Sequence, residues 1–178
     1  MTRILFARHG QTDFNIAERV CGKSLAELTN EGRDQARKLG ELLKNEGVDV
    51  ILCSPLKRAQ DTAAIANEYI GAKIITEDRL AEWDYGSYEA MPLSQAEGFQ
   101  QAKLEFGVRL GGGESVLQLA HRVYSAIDDI RKNYAEKTVL AVCHGGVCRV
   151  AYTYFKDMTM REFSEYYPDN GKVYEYLI

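Results

Sequence analysis

Arg3-Ile4-Leu5-Phe6-Ala7-Arg8-His9-Gly10-Gln11-Thr12 is the stretch on which the fold turns. Residues 3–9 form an apolar run with little alternation, the pattern of a strand buried on both faces. The run ends with an arginine and a histidine side by side, where strand should give way to loop. An open α/β sheet binds its ligand just beyond the carboxyl ends of its strands. An arginine there can hold a phosphate through two parallel charge-assisted hydrogen bonds, and a neutral imidazole can attack phosphorus or carbon. The same pattern returns at Val139-Leu140-Ala141-Val142-Cys143-His144-Gly145-Gly146, so two of the chain's three histidines close an apolar run and precede glycine.

Working outward, Thr29 caps a helix running to about residue 46, with Ala36, Leu39, Leu42 and Leu43 on its apolar stripe and Gly47 as its stop. Residues 48–53 read as a second buried strand. Ser54-Pro55 then supplies a cap and a first-turn proline for a helix to about residue 69. Residues 72–76 suggest a third strand and residues 138–143 a fourth, with a helix over 146–155 behind it. Ser115 with Gln118, and Thr159 with Glu162, read as capping boxes. The helix after Ser115 puts Val116, Leu119, Ala120, Val123, Ile127, Ile130 and Tyr134 on one face. Residues 172–178 alternate like an edge strand. Residues 80–113 are irregular, with at most one short helix within 94–106. Strands alternating with helices imply an α/β fold, a three-layer α/β/α sandwich around a mostly parallel central sheet. At this length the chain reads as one domain, 1–178, with a short insertion at about 80–113 over one end of the sheet.

A hydrophobic fraction of 46% and a charged fraction of 27% fit an ordinary globular domain. A formal net charge of −4 excludes a general nucleic-acid or anionic-membrane surface, so any anion site must be a local basic hollow. The start Met1-Thr2-Arg3-Ile4 carries no secretory-signal pattern, and no apolar run approaches the roughly 20 residues needed to span a bilayer. Cys21, Cys53, Cys143 and Cys148 match no zinc or redox pair, and Cys53 and Cys143 read as small buried hydrophobes. These features together point to the cytoplasm.

The first strand ends in Arg8 and His9, the second in Ser54 with Arg58 a helical turn later, and the fourth in His144. If these strands are neighbours, two arginines and two imidazoles face a single dianion, with the N–H groups around Gly10 and Gly145 as further donors. Each has a plainer reading on its own. Arg58 could be an exposed helix charge and His144 a hydrogen-bonded core histidine. His121 lies about 100° or more from the apolar stripe of its helix and reads as solvent-facing.

Five blocks now stand in order. They are Arg8-His9-Gly10-Gln11-Thr12 with Asn15, and Ser54-Pro55-Leu56-Lys57-Arg58-Ala59-Gln60-Asp61-Thr62-Ala63. Next come Leu80-Ala81-Glu82 with Gly86 and Glu89, then Gly113-Glu114-Ser115, and finally Cys143-His144-Gly145-Gly146. In this order they resemble the histidine phosphatase superfamily, the phosphoglycerate-mutase-like proteins. The resemblance implies that family's fold and a metal-independent phosphomonoesterase without cofactor. It implies a small phosphorylated metabolite as substrate, inorganic phosphate as product, and no nucleic-acid or membrane partner. It makes His9 the nucleophile that becomes phosphohistidine, and Glu82 the proton donor and later the base. Arg8, Arg58 and His144 become the phosphoryl clamp, with Asn15 and the Gly145 N–H as added donors. A cofactor-dependent phosphoglycerate mutase is the alternative enzyme, and a non-catalytic phosphate-binding module the alternative of another class.

The pattern also departs from the family. Cys21-Gly22-Lys23-Ser24-Leu25-Ala26-Glu27-Leu28-Thr29 stands where relatives carry Gln-Gly, then Asp, then Pro-Leu-Thr. Tyr88-Glu89-Ala90 replaces their Trp-Glu-Gly. These changes are expected to leave the clamp alone and to bear on substrate choice. The insertion offers only Lys103 and Arg109 as cations, with Arg109 read as a surface residue. Its aromatics (Trp83, Tyr85, Tyr88, Phe99, Phe106) read as core, and the later tyrosines, Tyr167 among them, as packing.

Overall fold

Alternation along the strands divides the core into two halves. In the computed structural model, which describes residues 1–178, the chain runs β1 (Arg3–Arg8), α1 (Asp13–Ile16), α2 (Asn30–Leu43), β2 (Val50–Cys53), α3 (Lys57–Ile70), β3 (Lys73–Thr76), α4 (Phe99–Ala102), α5 (Val116–Asn133), β4 (Thr138–Cys143), α6 (Gly145–Phe155), α7 (Met160–Glu165) and β5 (Val173–Leu177). Ile4, Phe6, Val50, Leu52, Val139 and Ala141 face α5 and α6, against Leu119, Val123, Ile127, Val147 and Ala151. Leu5, Ala7, Ile51, Cys53, Leu140 and Val142 face α2 and α3, against Leu39, Leu43, Ala59, Ala63 and Ala66. The result is the expected three-layer sandwich.

The sheet order is β3-β2-β4-β1-β5. All pairs are parallel except β5, which runs antiparallel to β1 at the edge. Arg8 pairs with Cys143 and Cys53 with Val142, so the carboxyl ends of β1, β4 and β2 lie level and adjacent. The ladder continues one step further. His9 N–H donates to the Cys143 carbonyl and Ser54 N–H to the Val142 carbonyl, both at 3.0 Å. His9, Ser54 and His144 therefore leave the sheet together.

Residues 80–113 follow a 3₁₀ turn that ends at Leu80 and carry three more, with the single short helix α4. They pack into the larger half of the core through Leu80, Trp83, Phe99 and Leu110.

Some local expectations need correction. α2 ends at Leu43, and the chain then turns to Gly47 at φ 65°. Leu42 is 64% exposed, so the buried stripe is Gly32, Ala36, Leu39, Gly40 and Leu43. The glycines are buried because a neighbour occupies the space where their side chains would stand. Ser54 does not cap α3, which begins at Lys57 after an uncapped Leu56. The Ser54 hydroxyl accepts from Leu56 N–H and is also engaged by His144. Phe106 is 56% exposed and stands outside the core, unlike Trp83 and Phe99.

Helix α2 meets α3 most closely at Gly40, where a Cβ would lie 2.6 Å from the Ala66 carbonyl oxygen and 2.7 Å from Tyr69. Helix propensity alone favours alanine there by about 1 kcal/mol, but overpacking costs about 1–3 kcal/mol. Gly40→Ala is expected to destabilise the chain by up to about 2 kcal/mol, read as a lower urea midpoint at constant m. A raised midpoint would refute this account of the α2–α3 contact.

Candidate active site

The nucleophile candidate is held by its own neighbours. His9 is 4% exposed, and its Nδ1 lies 2.7 Å from the Gly10 carbonyl oxygen. A carbonyl can only accept, so the proton is assigned to Nδ1 and the lone pair to Nε2. Arg58 Nε donates to that Nε2 at 3.2 Å. Asn170 holds the His9 carbonyl at 2.8 Å, and Thr62 holds the Gly10 N–H at 3.1 Å. Gly10 is required because a Cβ there would lie 2.2 Å from the Gly32 carbonyl oxygen at the start of α2.

Arg58 and Arg8 are both buried, at 1% and 4% exposure. Their forks do not point as a free pair at a common ligand, as the sequence suggested. The Arg58 terminal nitrogens donate to the carbonyls of Gly22 at 2.6 Å and Ser24 at 3.2 Å. Those of Arg8 donate to the Pro168 carbonyl at 2.6 Å and the Tyr167 hydroxyl at 3.1 Å. Each terminal nitrogen carries two hydrogens, so these contacts leave further N–H groups on both guanidiniums for a ligand.

His144 is fully buried, its ring 5.1 Å from that of His9. Ser54 Oγ accepts from Leu56 N–H with one lone pair and lies 2.7 Å from His144 Nε2, to which its hydrogen is here assigned as donor. The remaining ring proton then sits on Nδ1. Two buried side-chain nitrogens lack any partner, Arg8 Nε and this His144 Nδ1. Each is a donor, and leaving a buried donor unsatisfied costs about 1–3 kcal/mol. Both belong to residues flanking His9.

Glu82 lies 5% exposed at the N-terminus of α6. Its carboxylate accepts Trp83 N–H at 2.8 Å, and Gly146 N–H at 3.1 Å from each oxygen. Arg122, which the sequence reading passed over, fixes the preceding turn. It donates to the carbonyls of Arg79, Ala81 and Glu82 and grips Glu114 with Nε at 2.7 Å and a terminal nitrogen at 2.9 Å. Glu89 accepts the N–H groups of Gly22, Lys23 and Ser24, fixing the loop whose carbonyls hold Arg58. Asn15 Oδ1 is occupied by Thr12 N–H, which leaves its amide nitrogen as donor.

These side chains meet at a cavity of about 230 Å³, lined by Arg8, His9, Asn15, Glu82 and Gly145 among others. Arg58 and His144 lie just behind the lining. The wall also includes Arg19, Lys103, Arg149 and Tyr167. Tyr167 is thus a site residue and not merely packing. Arg149 stands one helical turn after Gly145, which is the signal that could have found it. Arg109 is exposed and away from the cavity, so Lys103 is the insertion's cation at the site. Cys21 also faces the cavity, but burial pushes its thiol up to about 11, which keeps it protonated.

The family described as "Histidine phosphatase superfamily (branch 1)" matches residues 4–178. The chain is 35% identical over 153 residues to "Uncharacterized phosphatase PhoE" of Bacillus subtilis, covering 86% of this chain and 77% of that protein. It is 35% identical over 170 residues to "Acid phosphatase" of Mycobacterium tuberculosis, covering 92% and 80%. Among solved structures, "mycobacterial glucosyl-3-phosphoglycerate phosphatase Rv2419c" with VO3 superposes at a TM-score of 0.87 and 26% identity, over 97% of this chain and 90% of that one.

Burial first, then the Arg58 and Arg8 charges, holds His9 well below its usual 6.5. Burial first, then Arg58, His9 and Arg8, does the same for His144. Both rings are neutral when folded and bind a proton near pH 6.5 once unfolded, so the unfolded state carries more protons below that pH. Stability is expected to fall as pH drops below about 6.5, at up to about 1.4 kcal/mol per pH unit for each ring. Nitrogen-15 histidine spectra at pH 6 should show both rings neutral with the proton on Nδ1. A protonated ring would overturn the assignment.

Proposed function

This chain belongs to the histidine phosphatase superfamily, and from that membership and the cavity at the strand ends we infer that it is a phosphomonoesterase acting through a phosphohistidine. The observation that carries this reading is the pair of buried, partnerless donors, Arg8 Nε and His144 Nδ1, beside an imidazole whose Nε2 bears its lone pair. Donors in that state suit an oxyanion that supplies the missing acceptors.

In the reaction His9 Nε2 attacks phosphorus and the bond from phosphorus to the ester oxygen breaks, giving phosphohistidine. As the phosphoryl group enters, the Arg58 Nε–H leaves Nε2 and turns to a phosphoryl oxygen, which frees the lone pair. Negative charge spreads over three equatorial oxygens and is met by Arg8, Arg58, His144, Asn15 and the Gly145 N–H. Protonated Glu82 gives its proton to the departing oxygen. The Glu82 carboxylate then takes a proton from water as that water attacks phosphorus, releasing inorganic phosphate and restoring His9. The charge of the guanidiniums is what a metal would otherwise supply, so the scheme uses neither metal nor cofactor.

The substrate is a small phosphorylated metabolite, as the modest cavity volume suggests. Residues 1–178 act as one domain in this reading, with the segment at about 80–113 bordering the active site. No helix is long and apolar enough to cross a membrane. The four cysteines are free, which supports a cytoplasmic setting.

Phosphate release from p-nitrophenyl phosphate in the presence of EDTA tests the reading, and His9→Ala is expected to abolish it. Arg58→Ala should cost a hundredfold or more in kcat/KM, about 3 kcal/mol, while Arg109→Ala costs less than twofold. Equal losses would mean the clamp is elsewhere. Glu82→Gln should slow esters of poorly acidic alcohols far more than aryl esters. Uniform slowing across leaving groups would remove Glu82 from the acid role.

A further inference from the structure

Lys103 and Arg149 are buried at 8% and 4% exposure, and both line the cavity. Neither takes part in an ion pair, although surface lysines and arginines of this chain repeatedly do. The Lys103 ammonium has no hydrogen-bond acceptor and sits 4.8 Å from the Phe99 ring centroid. Arg149 donates Nε to the Tyr166 carbonyl at 2.8 Å and lies 5.3 Å from the Phe163 ring centroid, with no acceptor on its terminal nitrogens. Ring faces and one carbonyl orient these cations without neutralising them.

The Arg149 charge acts on Lys103. Burial and then the Arg149 charge lower Lys103 to about 8. Burying like charges together is unfavourable unless a counter-charge joins them. The protein supplies one carboxylate on the cavity wall, Glu82, against Arg8, Arg19, Lys103 and Arg149. Arg8 and Arg58 already match the two charges of a phosphomonoester, which leaves Lys103 and Arg149 in surplus.

We propose that Lys103 and Arg149 form a second anion subsite, so that preferred substrates carry a further anionic group, a carboxylate or a second phosphate, on the leaving alcohol. The proposal rests on the phosphatase reading and narrows its substrate class. Lys103 comes from the insertion and Arg149 from the helix that begins beside the phosphoryl site. Two separate elements therefore bring their cations to one cavity.

The test compares glycerol 3-phosphate, 3-phosphoglycerate and glycerol 1,3-bisphosphate at fixed pH and ionic strength. At least one doubly anionic ester should exceed glycerol 3-phosphate tenfold or more in kcat/KM, and which one does so identifies the second group. Lys103→Met should bring that ratio close to one, mainly through KM, and Lys103→Arg should restore much of it. Calorimetric binding of the same esters to His9→Ala reads the subsite without turnover. Equal affinities for all three, or a preference unchanged by Lys103→Met, would overturn the subsite even if phosphate is released. A Lys103-dependent preference in binding, with no phosphate released by the wild-type chain, would overturn the phosphatase reading and leave the subsite standing.

Discussion

Two guanidiniums are buried at the carboxyl end of this sheet with no carboxylate to neutralise them. Arg8 and Arg58 are held by carbonyl oxygens and a phenol instead. Dipoles of that kind fix orientation and partly offset desolvation, yet leave the full positive charge in place. The contrast with Arg122 is instructive. That residue is equally engaged with carbonyls, but its charge is cancelled by Glu114, and it serves to brace a turn. Burial first, and the same uncancelled charge after it, keeps the two imidazoles neutral.

Much of this was legible from local pattern. The strand-terminal positions of His9 and His144, the capping boxes at Ser115 and Thr159, and the edge character of β5 all follow from periodicity and short-range chemistry. The order of the strands then brought the polar ends together, which periodicity alone does not dictate. What escaped was set by distant partners. Leu42 falls on the apolar stripe by spacing, but it is Gly40 that sits against α3, and Leu42 is left exposed. Ser54 has the identity of a cap, yet its hydroxyl is drawn to a histidine 90 residues away. Tyr167 reads as one aromatic among many until Arg8, 159 residues earlier, is seen to use its hydroxyl.

The stretch from Cys21 to Thr29 departs from the family pattern, and the expectation that it leaves the clamp untouched needs refining. It touches Arg58 directly, through the main-chain carbonyls of Gly22 and Ser24. Carbonyl position depends on backbone path and hardly on side-chain identity. The path is set by Glu89, whose carboxylate gathers three successive N–H groups, and by Gly22, where a Cβ would meet Glu89 at 2.0 Å. Sequence can therefore drift in this loop while the guanidinium stays in place.

His9 follows the first strand, whereas the groups that seat it come about 160 residues later. Pro168 and Tyr167 secure Arg8, Asn170 secures the His9 main chain, and β5 flanks β1. A polypeptide emerging from the ribosome displays its Arg-His-Gly segment long before any of these arrive. Synthesis adds roughly 5–20 residues per second, so the interval amounts to many seconds. Throughout it the imidazole has neither its sheet neighbours nor its oriented cation. The seating of Arg8 and His9 is consequently a long-range event, one that waits on a segment about 160 residues further along.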